Sequence, residues 1–89
     1  MTIGFFDSGV GGLTVLAEAL RQLPQEDYIY YADTEHVPYG IKSKDDVRRF
    51  VLQAVEFMAA QNIKALVVAC NTATSIAIKD LRQRYSFPV

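Results

Sequence analysis

The run Leu66-Val67-Val68-Ala69 ends abruptly in Cys70-Asn71-Thr72, and a helical pattern follows it. A short, continuously apolar run of this kind reads as a strand buried on both faces. It confines the chain to an architecture that can cover both faces of a parallel sheet. It also delivers a thiol, an amide and a hydroxyl to the carboxyl edge of that sheet, against a helix N-terminus. Ligands bind at that edge in open parallel α/β folds.

The rest of the chain repeats the alternation. Thr2 to Phe6 reads as a strand, and the turn Asp7-Ser8-Gly9-Val10-Gly11-Gly12 follows. Leu13, Leu16, Ala17 and Leu20 then recur as one helical face, which Pro24 closes. Asp27 to Ala32 is a second strand, rich in aromatic residues. Asp33 to Ile41 is a loop containing Pro38-Tyr39-Gly40. Ser43 is placed to cap the next helix, and Val47, Phe50, Val51, Ala54, Val55 and Met58 form its apolar stripe to about Gln61. Ala65 to Ala69 is the third strand, and Thr72 to about Arg84 the third helix. This βαβαβα alternation predicts an open parallel sheet, flavodoxin-like, with strand order 2-1-3. Phe87-Pro88-Val89 resembles the start of a further strand. The expectation is therefore a chain truncated before the next strand, the front portion of a longer protein.

Composition narrows the function classes. The 89 residues are 51% hydrophobic, enough for a packed core. The net charge is −1 with no basic run, so nucleic-acid binding has little electrostatic support. No apolar stretch approaches the ~18 residues of a membrane span. One cysteine forms no internal disulfide, and with no export signal it points to a reducing cytoplasm.

Each cluster carries two readings. Cys70 is either a buried structural cysteine or a reactive one. A helix N-terminus favours a thiolate, and a thiolate acts as base or nucleophile. Asn71 and Thr72 add donors that suit a carboxylate. Asp7 and Ser8 either shape a turn, or orient a proton near Cys70 and hold a substrate. If strands 1 and 3 are neighbours, Asp7 and Cys70 face each other across ~4.8 Å. Gly9-Val10-Gly11-Gly12 invites a dinucleotide reading, with Asp33 as the ribose-binding acid. Thr14 at the third glycine position and the charge of Asp7 oppose it. Close packing and a tight turn suffice for the glycines. Tyr39 and Gly40 either make an ordinary turn or cover a ligand. His36 has no assigned role, and Lys42, Lys44, Asp45, Asp46, Arg48 and Arg49 read as a solvated face.

Together, Phe6-Asp7-Ser8-Gly9-Val10-Gly11-Gly12, Tyr31-Ala32-Asp33-Thr34, Pro38-Tyr39-Gly40 and Ala69-Cys70-Asn71-Thr72-Ala73-Thr74 resemble the N-terminal half-domain of the bacterial glutamate racemases. These belong to the aspartate/glutamate racemase superfamily. The ordered set spans the chain and is far more specific than any one motif. The resemblance implies that residues 1–89 open the first α/β domain of a two-domain, cofactor-independent, metal-free racemase. Its substrate would be glutamate and its product D-glutamate for peptidoglycan. It implies Cys70 as one of two catalytic cysteines, Asp7 as its catalytic polar neighbour, and Asp7, Ser8, Tyr39, Gly40, Asn71 and Thr72 as substrate-binding. A homodimer is the implied assembly. The second cysteine of the family, in a Gly-Cys-Thr-His segment, is absent here, so the 89 residues alone are expected to be inactive. A single-cysteine decarboxylase, another isomerase of the superfamily and a non-catalytic carboxylate-binding module are the alternatives.

Overall fold

The computed structural model describes residues 2–89. Its elements follow in the order β1 (Thr2–Asp7), α1 (Leu13–Gln22), β2 (Asp27–Ala32), a 3-10 turn (Tyr39–Ile41), α2 (Lys44–Ala59), β3 (Ile63–Val68) and α3 (Asn71–Arg84). The three strands are parallel in the order β2-β1-β3. The expected α/β class and strand order are both present.

Local chemistry explains the boundaries. At the start of α2, the Ser43 hydroxyl accepts the Asp46 N–H at 3.1 Å, and Asp45 and Asp46 sit in the first turn. Both features suit the positive end of a helix dipole. The expected stripe of α2 buries Val47, Val51, Ala54, Val55 and Met58. β3 starts two residues earlier than the apolar run suggests. Thr2 pairs with Ile63 but Ile3 with Ala65, so Lys64 is the extra residue of a bulge. Its ammonium turns out to Glu26 at 2.6 Å. The polar bulge hides the start of the strand from a hydrophobicity reading.

The sheet has two unlike faces. Phe6, Leu66, Ile63 and Cys70 lie with α2 and α3 in one closed core, which includes Val47, Val51, Met58, Ala77 and Leu81. On the other face Phe5 meets Tyr28 and Tyr30, with ring centroids 6.0 and 6.5 Å apart. Among the described residues, only α1 lies over them. The Tyr28 hydroxyl donates to the carbonyls of Ala19 at 3.2 Å and Leu23 at 2.9 Å. The expected buried face of α1 is not realised. No residue of α1 is buried, and Leu13, Ala17 and Leu20 are exposed, while Leu16 and Ala19 are half-covered. One small aromatic row is too narrow to cover a whole helical stripe.

The last residues run beside β3. Pro88 O accepts the Leu66 N–H at 2.9 Å, and Tyr85 stacks on Phe87 at 4.9 Å.

Candidate active site

Parallel strands put all three carboxyl ends on one edge, so Asp7-Ser8, the loop after Ala32, and Cys70-Asn71-Thr72 come together there. The ladder continues past the strands. Asp33 N–H donates to Asp7 O at 2.9 Å, and Ala69 N–H to Phe6 O at 2.8 Å.

Cys70 is the N-cap of α3. Its backbone is extended (φ −102°, ψ 122°), and its Sγ accepts the Ala73 N–H at 3.5 Å. A sulfur thus takes the capping place that an oxygen usually holds, aimed at unpaired amides and the positive end of the helix. Thr74 braces this turn, its hydroxyl donating to Cys70 O at 2.9 Å. Cys70 is 8% exposed and belongs to the same buried cluster as Phe6, Tyr39, Leu66 and Ala73. Asn71 begins the helix and is exposed, while Thr72 is half-buried.

Asp7 is 5% exposed at the end of β1. Its Oδ2 accepts the Gly12 N–H at 2.5 Å and the Tyr30 hydroxyl at 2.7 Å. Burial pushes the carboxyl up, but the Tyr30 hydroxyl and the N–H groups of Gly12, Gly9 and Ser8 outweigh it. Asp7 is held below the ordinary carboxylate range. Burial, the hydrogen bond to Asp7 and the charge of Asp7 push Tyr30 up to about 12. Asp7 therefore remains an anion and Tyr30 a donor around neutrality. A Cβ on Gly12 would stand 2.7 Å from Ala69 Cβ, 2.8 Å from Asp7 Oδ2 and 2.9 Å from the Tyr30 hydroxyl. Close approach explains this glycine without a nucleotide. Gly9 and Gly11 have open space around them.

Asp7 and Cys70 share the edge, but their partners lie on opposite faces. Asp7 is tied to Tyr30 beneath α1, whereas Cys70 belongs to the α2/α3 core. Side chains alternate along strands, and Asp7 lies level with Ala69, one residue short of Cys70.

Tyr39 is 3% exposed, its ring against Phe6 and Phe50. Its hydroxyl donates to Asp33 Oδ2. Burial first, then that hydrogen bond and the charges of Asp33, Cys70 and Tyr31, push Tyr39 far above the ordinary phenol value. His36 Nδ1 lies 2.8 and 3.0 Å from the two oxygens of Asp33, and its ring stacks on Phe50 at 3.8 Å. Asp33, His36 and Tyr39 thus form one cluster beside the thiol. Sequence reasoning left Asp33 and His36 without a part in this site and did not single out Tyr30. The available signals were the place of Asp33 in the Tyr31-Ala32-Asp33-Thr34 segment and the spacing of Asp33, His36 and Tyr39 within one loop. Gly40 is exposed, and Ser8 is half-buried at the start of the β1–α1 turn.

A concavity of about 300 Å3 lies at the other end of the sheet, lined by Gln22, Leu23, Pro24, Gln25 and Glu26. Its walls are one stretch of chain, and Glu26 already pairs with Lys64. It does not compete with the carboxyl edge. Among the described residues, no group of three His, Cys, Asp or Glu side chains is disposed to hold a metal ion, and no helix is long and apolar enough to cross a membrane.

A family model described as Asp/Glu/Hydantoin racemase matches residues 7–89. A glutamate racemase from Halothermothrix orenii is 68% identical over 89 residues, covering 100% of this chain and 35% of that protein. The structure of glutamate racemase from Aquifex pyrophilus superposes with a TM-score of 0.95 at 45% identity, covering 100% of this chain and 35% of that one. Glutamate racemase from Francisella tularensis, solved in complex with D-glutamate, gives a TM-score of 0.93 at 40% identity, covering 99% of this chain and 34% of that one. The chain therefore spans about a third of the length of the relatives it matches.

Proposed function

This chain belongs to the Asp/Glu/Hydantoin racemase family, and from that premise we propose that it is the amino-terminal part of a racemase that interconverts L- and D-glutamate. The observation that carries the reading is the Cys70 Sγ as N-cap of α3, accepting the Ala73 N–H. A thiolate formed there gains from that donor and from the helix dipole. It takes the proton from the glutamate α-carbon. The S–H bond forms as the Cα–H bond breaks, and the electron pair stays on the α-carbon, shared with the adjacent carboxylate. An acid outside these 89 residues, a second cysteine, returns a proton to the opposite face. The reverse reaction exchanges the two roles.

The other edge residues bind and orient. The amides at the N-terminus of α3, with Asn71 and Thr72, receive the amino-acid head group of the substrate. Ser8 contacts the substrate, and Tyr39 and Gly40 line its site. Asp7, held anionic, is the polar group that attracts the ammonium and keeps the α-carbon near the thiolate. Donors around the developing charge matter most, because the α-proton is only weakly acidic. The whole protein works without a dissociable cofactor, assembles as a homodimer with the rest of its chain in place, and supplies D-glutamate for peptidoglycan in the cytoplasm.

The test is solvent deuterium incorporation at the glutamate α-carbon by the whole protein. Wild type incorporates deuterium from both enantiomers, and Cys70→Ala loses about a thousandfold or more in both directions. Loss in one direction only would show that the role of Cys70 is misassigned. Residues 1–89 alone give no racemisation. Carbon dioxide release would instead mark a single-cysteine decarboxylase, and binding without exchange a carboxylate-binding module.

A further inference from the structure

Tyr30 belongs to the unassigned part of the sheet edge, on the face opposite Cys70. Its hydroxyl lies 2.7 Å from Asp7 Oδ2, and the same oxygen takes the Gly12 N–H at 2.5 Å. We propose that Tyr30 is a positioning residue for the reaction, which locks one oxygen of Asp7 against the β1–α1 turn and so fixes the carboxylate that serves the substrate. The inference rests on the reading of the Asp7 and Cys70 edge given above.

Three independent features support it. Tyr30 is level with Phe5 in the ladder and stacks on it, so the phenol is anchored by its ring before its hydroxyl reaches Asp7. Gly12 has no room for a Cβ, and two of the three atoms it would strike are Asp7 Oδ2 and the Tyr30 oxygen. The turn is thus shaped around this pair. Both hydrogen bonds converge on Oδ2, so the carboxylate is pinned in one rotation about its last bond. The groups facing Asp7 are the Tyr30 hydroxyl from β2 and the N–H groups of Ser8, Gly9 and Gly12 from the turn. Tyr30 supplies the only side-chain donor among them. Removing its hydroxyl leaves the carboxylate to the backbone amides alone, loosens its rotation and raises its proton affinity.

A neighbouring residue provides the control. Tyr28 lies on the same face of the same strand, and its hydroxyl also makes hydrogen bonds, but to backbone carbonyls of Ala19 and Leu23. Tyr28→Phe and Tyr30→Phe both delete a phenolic oxygen and keep the ring. In the whole protein, Tyr30→Phe is expected to lower kcat by about tenfold with KM within about threefold. It also shifts the acid limb of kcat/KM up by about one pH unit, the effect of one hydrogen bond lost by an ionised carboxyl. Tyr28→Phe changes neither. Carbon NMR of the Asp7 carboxyl should show the same upward shift in Tyr30→Phe, whatever the activity. Equal kinetic effects of the two variants, or an unmoved acid limb and Asp7 resonance in Tyr30→Phe, would overturn the proposal. Wild type and Cys70→Ala run alongside. If wild type fails to exchange the α-proton, the function is misread, whereas the NMR titration still decides whether Tyr30 holds Asp7.

Discussion

Asp7 ends β1 and Asp33 follows the neighbouring β2; both are buried and each accepts a tyrosine hydroxyl, yet they are held by different parts of the chain. Asp7 closes β1, and its donors are backbone amides of the next turn plus Tyr30 from the adjacent strand. Asp33 lies one residue past β2, and its partners are two side chains of its own loop, His36 and Tyr39. The first arrangement joins two neighbouring strands to the turn that follows β1. The second depends on how a nine-residue stretch from Asp33 to Ile41 folds back on itself.

The sharpest way to break this contrast is to crowd the Asp7 side. Gly12→Ala forces a methyl group into Asp7, Ala69 and Tyr30, and should cost about 3 kcal/mol by chemical denaturation of the whole protein. Asp33→Ala strands the buried Tyr39 hydroxyl and should cost about 2 kcal/mol. The double variant Asp33→Ala/Tyr39→Phe should recover part of that, because no unpaired donor remains. If it recovers nothing, the loop is held by something other than this pair.

Titration separates the two sites more finely. Asp7 has a lowered folded value, so its stabilisation is fully present above 3.8 and is lost as pH falls through the lower folded value. Replacing Asp7 by Asn should therefore flatten the acid side of the stability curve. The two tyrosines have raised folded values, so their contributions are present below pH 10 and are lost as pH rises through those values. Ultraviolet absorbance should show a tyrosinate step near pH 12 that Tyr30→Phe removes. A step that survives unchanged in Tyr30→Phe would mean that Tyr30 is not the group that Asp7 holds up. The smallest effect belongs to Gly40→Ala, whose Cβ meets nothing within 4 Å, and it should stay within about 0.5 kcal/mol.

Much of the frame was legible in order along the chain. Ser43 as a cap, the α2 stripe and the alternation of strands and helices are local patterns, and each element is present. The start of β3 was not, because Lys64 is a bulge residue whose side chain leaves the ladder. The face of α1 was not either. Periodicity marks which residues share a helix face, but the width of the surface beneath decides how many are covered. Within the site, Cys70 stood out because strand and helix meet at it, within a few residues. Tyr30 did not, because its partner is 23 residues away and reaches it only through the β1–β2 register.

The sequence by itself determined the parallel α/β frame, the three strand ends that carry Asp7-Ser8, Asp33 and Cys70-Asn71-Thr72, and membership in a racemase family. These follow from short-range periodicity and ordered motifs. Only the tertiary structure decided that Asp7 and Cys70 take their partners from opposite faces of the sheet. It also decided that Gly12 is there for lack of room, and that the Tyr39 hydroxyl turns to Asp33. Those choices depend on strand register and on which buried polar groups must satisfy one another, and no local pattern encodes either.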